Sequence, residues 1–168
     1  MTDADFRDAF HRHKDVVYRF AYRMSGSSSA AEDVVQDCFV AFWQKPDAYD
    51  PARGALRPFL LGVARNLVLK RWRRERPQAD LDEAIEDESS IGPLLEMEGQ
   101  ERAEAVKRAI LLLPPLQREA VILAEYEEMS LQEIAHATAA DIAAVKSRLH
   151  RARQNLRRML QPLFAIER

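Results

Sequence analysis

An all-α fold, built as two small helical domains joined by an acidic flexible linker, follows from three observations. Apolar residues recur at spacings of three and four along most of the chain, as one face of a helix requires. No run alternates convincingly with the period of two that a half-buried strand shows. Charge comes in blocks: residues 1–76 hold 14 basic and 10 acidic side chains, 77–105 hold 1 and 10, and 106–168 hold 10 and 7. Two cationic blocks therefore flank an anionic middle, although the 168 residues sum to only −2. A chain of this length forms one compact domain or two small ones, and the blocks favour two, at 1–76 and 101–168, with 77–100 between them.

Phe6, Phe10, His13, Val17, Phe20, Ala21 and Met24 form the inward stripe of a first helix, in which His13 is expected to be a core histidine. The glycine–serine run 25–29 ends it. A second helix is expected over 30–44, with Val34, Val35, Cys38, Phe39 and Phe42 inward and Glu32, Asp33, Gln36 and Asp37 outward. Cys38 is the only cysteine; no internal disulfide is possible, and its apolar neighbours predict a buried small hydrophobe. Three prolines and a glycine make 45–58 a loop. A third helix is expected over 59–76. Its first half is apolar nearly all round, hence buried, and its second half is cationic, so that Arg65 to Arg76 holds six cations with Trp72 among them. Aromatics among cations suit unpaired bases; a tryptophan packed in the core fits the same pattern.

Residues 77–100 are acidic and lack aromatics, the composition of a mobile linker. Helix is expected again over 101–113. Pro114 and Pro115 stop it and start another over 116–128, because proline is tolerated only in a first turn. That helix should bury Val121, Ile122 or Leu123, and part of Tyr126. Ser130 and Glu133 have the spacing of a capping box for a helix over 131–138. After a tight corner, Asp141 can cap a last helix with Ile142, Val145, Leu149, Ala152, Leu156 and Met159 inward.

Two helices joined by a tight corner, the second amphipathic and cationic, form a helix-turn-helix. Residues 145–160 contain six Lys or Arg and no acid. The outward face carries Lys146, Ser147, His150, Arg151, Arg153 and Arg157. Such a helix fits the major groove, with early-turn side chains at base edges and later cations at phosphates, and its binding should weaken steeply with salt. Other classes fit poorly. No stretch approaches the ~18 apolar residues of a membrane span, so no membrane insertion is expected. No apolar leader core opens the chain, which points to the reducing cytoplasm. There is no phosphate-binding glycine loop, and four histidines (11, 13, 136, 150) with one cysteine make no convincing metal set. Neither enzymatic activity nor a cofactor is expected.

Four segments, "AEDVVQDCFVAFW" (31–43), "DPARGALRPFLLGVARNLVLKRWRRE" (50–75), "LPPLQREAVIL" (113–123) and "MSLQEIAHATAADIAAVKSRLHRARQNLRRML" (129–160), together resemble the signature blocks of extracytoplasmic-function (ECF) sigma factors of bacterial RNA polymerase. The blocks stand in the family's order and cover most of the chain. The resemblance implies core RNA polymerase, promoter DNA and an anti-sigma factor as partners. It implies that Glu32, Asp33, Gln36 and Asp37 bind core polymerase, where complementary charge sets register and on-rate. Arg53, Arg57, Arg65, Asn66, Lys70, Arg71, Arg73 and Arg74 would hold the −10 element, with loop 50–58 capturing an extruded base and so promoting strand opening. Lys146, Ser147, Arg148, His150, Arg151 and Arg153 would read the −35 element. The acidic linker would occupy channels later used by RNA. Three positions depart from the family pattern: Thr138-Ala139-Ala140 replaces a glycine-containing corner, Ala143-Ala144 replaces a Gly-Thr start, and Phe59 stands where tryptophan is frequent. The rival from another class is a stand-alone DNA-binding regulator. It explains the last helix but leaves the acidic face and the second basic cluster unused.

Overall fold

A computed structural model describes residues 1–79, 81 and 99–166, with side chains through 161. Among the described residues all regular structure is helical. The N-terminal half is α1 (Asp3–Ser25), α2 (Ser28–Gln44) and α3 (Leu56–Glu75), with a single 3₁₀ turn at Pro46–Ala48. The C-terminal half is α4 (Gly99–Leu112), α5 (Pro115–Val121), a π-turn at Ile122–Tyr126, α6 (Leu131–Ala137) and α7 (Ile142–Ile166).

Local chemistry sets the ends. Thr2 and Asp5 form a capping box at the start of α1. Gly26 closes α1 in the left-handed region at φ 69°, and Ser27 caps α2 by accepting from the Ala30 amide. The helix α3 starts at Leu56, earlier than the expected 59, because Pro58 lies in the first turn, where the missing N–H has no intrahelical partner to lose. Arg57 thus belongs to a helix and not to the loop. Before it, Tyr49 Oη donates to the Gly54 carbonyl and the Asp50 carboxylate accepts from the Ala52 amide, so the 50–55 loop has a defined turn.

The predicted stripe of α1 is buried at Val17, Phe20, Ala21 and Met24; Phe6, Phe10 and His13 are half-buried at its open end. On α2, Val34, Cys38, Phe39 and Phe42 face inward as expected. The rings of Phe6 and Phe10 meet that of Phe39 edge-on at 6.3 and 5.0 Å. Burial pushes the Cys38 thiol up to about 12, and its hydrogen points to the Leu60 carbonyl at 3.5 Å, so this is an inert structural cysteine. Burial, followed by the charges of Arg12 and Arg57, pulls His13 below the usual histidine range despite Asp8. The ring therefore stays neutral near pH 7, as an apolar-stripe histidine should.

The buried residues of both halves form one continuous cluster. The helix α3 lies in the middle, with α1 and α2 on one side and α6 on another. This explains why its first half is apolar nearly all round. Gly62 is the point of closest approach: a Cβ there would come within 3.2 Å of the Ala137 carbonyl oxygen. Most of the expected linker, residue 80 and residues 82–98, lies outside the described residues. Within its described part, the Leu81 carbonyl accepts from the Leu116 amide at 3.3 Å.

Two inward assignments are corrected. Tyr126 is 40% exposed, because the π-turn inserts an extra residue and rotates the backbone beyond it. Tyr126 swings out and Glu127 swings in. Ile142 is also exposed; it is the first residue of α7, beyond the edge that α6 covers.

Candidate nucleic-acid and polymerase interface

The corner between α6 and α7 is built from backbone bonds. Ser130 and Glu133 form the expected capping box: the Ser130 amide donates to the Glu133 carboxylate at 3.0 Å and the Glu133 amide to the Ser130 hydroxyl at 3.1 Å. At the other end, the Ala140 amide donates to the Ala135 carbonyl and the Ala139 amide to the His136 carbonyl, the paired bonds of a Schellman motif. That motif needs a left-handed residue, and Ala139 supplies it at φ 50°. An alanine there costs about 1–2 kcal/mol relative to an unstrained residue. Ala139 is exposed, so Ala139→Gly removes no packing. We expect Ala139→Gly to raise stability by about 0.5–1 kcal/mol, less than the full strain because glycine also loosens the unfolded chain. Denaturant midpoints check this; an unchanged or lower midpoint contradicts it.

Asp141 then caps α7 by accepting from the Ala144 amide at 2.7 Å. Val145, Leu149, Ala152 and Met159 anchor the helix inward, and Leu156 is half-buried. Lys146, Ser147, His150, Arg151, Arg153 and Arg157 are exposed together on the opposite side; Arg148 is half-buried at the flank. Arg153 pairs with Glu125 of the π-turn at 2.7 Å, which orients it across the groove between α6 and α7.

In the N-terminal half, Glu32, Asp33, Gln36 and Asp37 are all exposed along α2. They are not isolated from the basic cluster. Asp33 pairs with Arg71 at 3.1 Å, and Asp37 lines a groove with Lys70, Arg71 and Arg74. Asn66, Lys70, Arg73 and Arg74 are exposed on α3, and Arg53 is exposed beside Asp50. Trp72 is half-buried with the Arg76 guanidinium 5.6 Å from its ring centre. It is thus neither fully core nor a free stacking platform.

Arg57 and Arg65 are placed differently from the rest. Arg65 makes a bidentate bond to Glu119 of α5, at 2.7 and 3.0 Å, with the carboxylate fully buried. Arg57 donates to the Glu127 carboxylate at 2.6 Å and to its carbonyl at 2.9 Å. Glu127, also buried, faces Arg23 at 3.5 Å and Arg19 at 3.9 Å as well. Arg118 completes the contact between the halves by donating to the carbonyls of Met24, Leu111 and Leu113. Burial, with Arg76 second, lowers Arg118 to about 10, so it remains a cation at neutral pH. Sequence reasoning singled out none of Arg118, Glu119 and Glu127. The available signal was two acids set among apolar residues at 119 and 127, without any hint of which cations would meet them.

Among the described residues no cluster of side chains could hold a metal ion, and no helix is long and apolar enough to cross a membrane.

The arrangement places a helix-turn-helix beside a second helical unit with its own cation row and acidic face. Sigma-70 region 2 matches residues 9–78, and Sigma-70, region 4, matches residues 103–156, so the two units are those of a bacterial sigma subunit. The chain is 30% identical to the ECF RNA polymerase sigma factor SigW of Bacillus subtilis, over 94% of this chain and 90% of that one. It is also 30% identical to the ECF RNA polymerase sigma factor RpoE of Cereibacter sphaeroides, over 92% and 86%. Its fold matches that of the sigma factor RpoE of Bartonella quintana, solved with the anti-sigma factor NepR, at a TM-score of 0.69, 25% identity and coverage of 94% and 97%. The match to CnrH, solved with the cytosolic domain of CnrY, has a TM-score of 0.70 at 25% identity over 95% and 90%. The chain belongs to the ECF sigma factors, a family of transcription regulators and not of enzymes, whose partners are core RNA polymerase and promoter DNA.

Proposed function

We propose that residues 1–76 dock core polymerase through Glu32, Asp33, Gln36 and Asp37 and hold the −10 element through Arg53, Arg57, Arg65, Asn66, Lys70, Arg71, Arg73 and Arg74. Residues 101–168 then read the −35 element through Lys146, Ser147, Arg148, His150, Arg151 and Arg153. The loop around Asp50–Pro58 takes up an unstacked base, so that strand opening is driven by binding energy and not by chemistry. The observation that carries this reading is the outward face of α7, a run of cations free of acids on a helix anchored by an apolar stripe. An anti-sigma factor controls the chain in the cytoplasm; the support is that the similar RpoE of Bartonella quintana was solved in complex with one.

The acidic face gives the sharpest test of the polymerase half. We expect Asp37→Arg to weaken binding to core polymerase at least about tenfold, since like charge across an interface is strongly unfavourable. Circular dichroism should be unchanged, because Asp37 is exposed. Fluorescence titration with core enzyme reads the affinity; an unaltered value makes this face merely solvated.

A further inference from the structure

The first turn of α7 carries no polar side chain after its cap, although the rest of the same face is rich in them. Ile142, Ala143 and Ala144 follow Asp141, and Lys146 is the first side chain beyond them that can donate a hydrogen bond. We propose that Ile142 and Ala143 read thymine through its 5-methyl group, so that the −35 element of this chain holds a thymine where the first turn of α7 reaches it. This deepens the −35 role proposed above for α7 and rests on it.

Position comes first. The buried Val145, Leu149 and Ala152 fix which side of α7 faces the core. Ile142 stands four residues before Lys146, and Ala143 stands four before Ser147. Residues four apart share a helix face. Ile142 and Ala143 therefore lead the two rows that continue through Lys146 to His150 and through Ser147 to Arg151. Both are exposed, Ile142 at 38%, beyond the edge that α6 covers. Four residues of helix rise about 6 Å, close to two base-pair steps of about 3.4 Å each. The apolar turn thus meets base pairs beside those under Lys146 and Ser147.

The turn is also held firmly. The Ala140 amide donates to the Ala135 carbonyl on one side, and Asp141 accepts from the Ala144 amide at 2.7 Å on the other. A β-branched side chain in a helix has one strongly preferred χ1 rotamer. Ile142 accordingly loses little freedom when a base covers it.

Chemistry then selects the base. In the major groove, guanine, adenine and cytosine offer hydrogen-bonding groups, while thymine adds a methyl group. Ile142 and Ala143 have no side-chain atom that answers a donor or an acceptor. Set against guanine, adenine or cytosine, they take water from polar edge atoms and return no hydrogen bond, which is a net cost. Set against the thymine methyl, they remove apolar surface from water on both sides. Ala143-Ala144 stands where the family pattern has Gly-Thr, so this chain has lost a hydroxyl and gained a methyl in this turn.

The test uses the full chain bound to core polymerase. Promoter duplexes with a randomised −35 segment are selected by binding, and a thymine is expected at one position of the selected motif. Replacing that thymine by deoxyuridine deletes the methyl group and leaves the pairing edge unchanged; affinity should fall about fourfold. At the same position, 5-methylcytosine should bind tighter than cytosine. Ile142→Ala combined with Ala143→Gly should bring the thymine and deoxyuridine duplexes to equal affinity. The ratio is taken within each protein, so any general loss of stability or affinity cancels. Arg157→Ala should lower both affinities and keep their ratio. Deoxyuridine bound as tightly as thymine at every −35 position overturns the proposal. A methyl preference that survives the double substitution also overturns it, because another group then reads the methyl. Selection with no −35 preference at all indicts the sequence-reading role of α7 and takes this inference with it. A clear preference indifferent to the methyl leaves that role standing and sinks this inference alone.

Discussion

Replacing Arg151 by alanine should weaken binding of the polymerase complex to its promoter by about 1–3 kcal/mol, roughly fivefold to 150-fold, and should flatten preference at one −35 position. The physical basis is position. Arg151 lies on the third turn of a helix whose Val145, Leu149 and Ala152 are locked into the core, so its guanidinium is presented from a rigid platform. It is exposed, and among the described residues no ion pair or hydrogen bond draws it away from a ligand. The loss should not come from unfolding, because exposed substitutions change stability by about 0.5 kcal/mol or less. Arg157, nearly two turns further on, provides the contrast: Arg157→Ala should weaken all sequences equally and flatten the salt dependence, as a phosphate contact does. Competition among −35 variants separates the two. If Arg151→Ala lowers affinity uniformly, or not at all, Arg151 reads no base.

Arg118→Ala should destabilise the folded chain by about 3–5 kcal/mol, a cost of the size seen when a buried charge network loses a member. One guanidinium donates to carbonyls at the end of α1 and at the end of α4. Helix C-termini leave such carbonyls without partners, and a cation there also answers the helix dipole. The alanine variant takes the guanidinium from three part-buried carbonyl acceptors at once. For a chain of this size each kcal/mol moves the melting temperature by roughly 2–4 °C, so the expected drop is roughly 6–20 °C. Lysine should not rescue, since a single ammonium group cannot span the fork. A melting temperature within a degree or two of the unaltered chain contradicts this account of how the halves are joined.

The features legible in the residues were those that depend on neighbours in sequence. Periodicity located the inward stripes of α1, α2 and α7. The capping box at Ser130 and the cap at Asp141 stand where they were expected, because a cap is written within three residues. The alanine corner was visible as a departure from the family pattern, and the positive φ of Ala139 shows that the backbone kept the turn and took the strain. Periodicity failed at Tyr126, where a π-turn breaks the regular 3.6-residue period. The ion pairs between the halves could not be read at all. Arg65 and Glu119 are 54 positions apart, Arg57 and Glu127 are 70 apart, and the packing of the C-terminal helices against α1 and α3 brings them together. The all-round apolarity of early α3 was the trace of that packing. It foretold burial but not what would cover it.

The most direct measurement is transcription in vitro by purified bacterial core polymerase on a library of random promoter sequences, with and without this chain. The account predicts that the chain binds core enzyme and that transcripts depend on it, arising from templates that share two short motifs at a fixed spacing. Failure to associate with core polymerase at low salt, together with no chain-dependent transcripts, would contradict it.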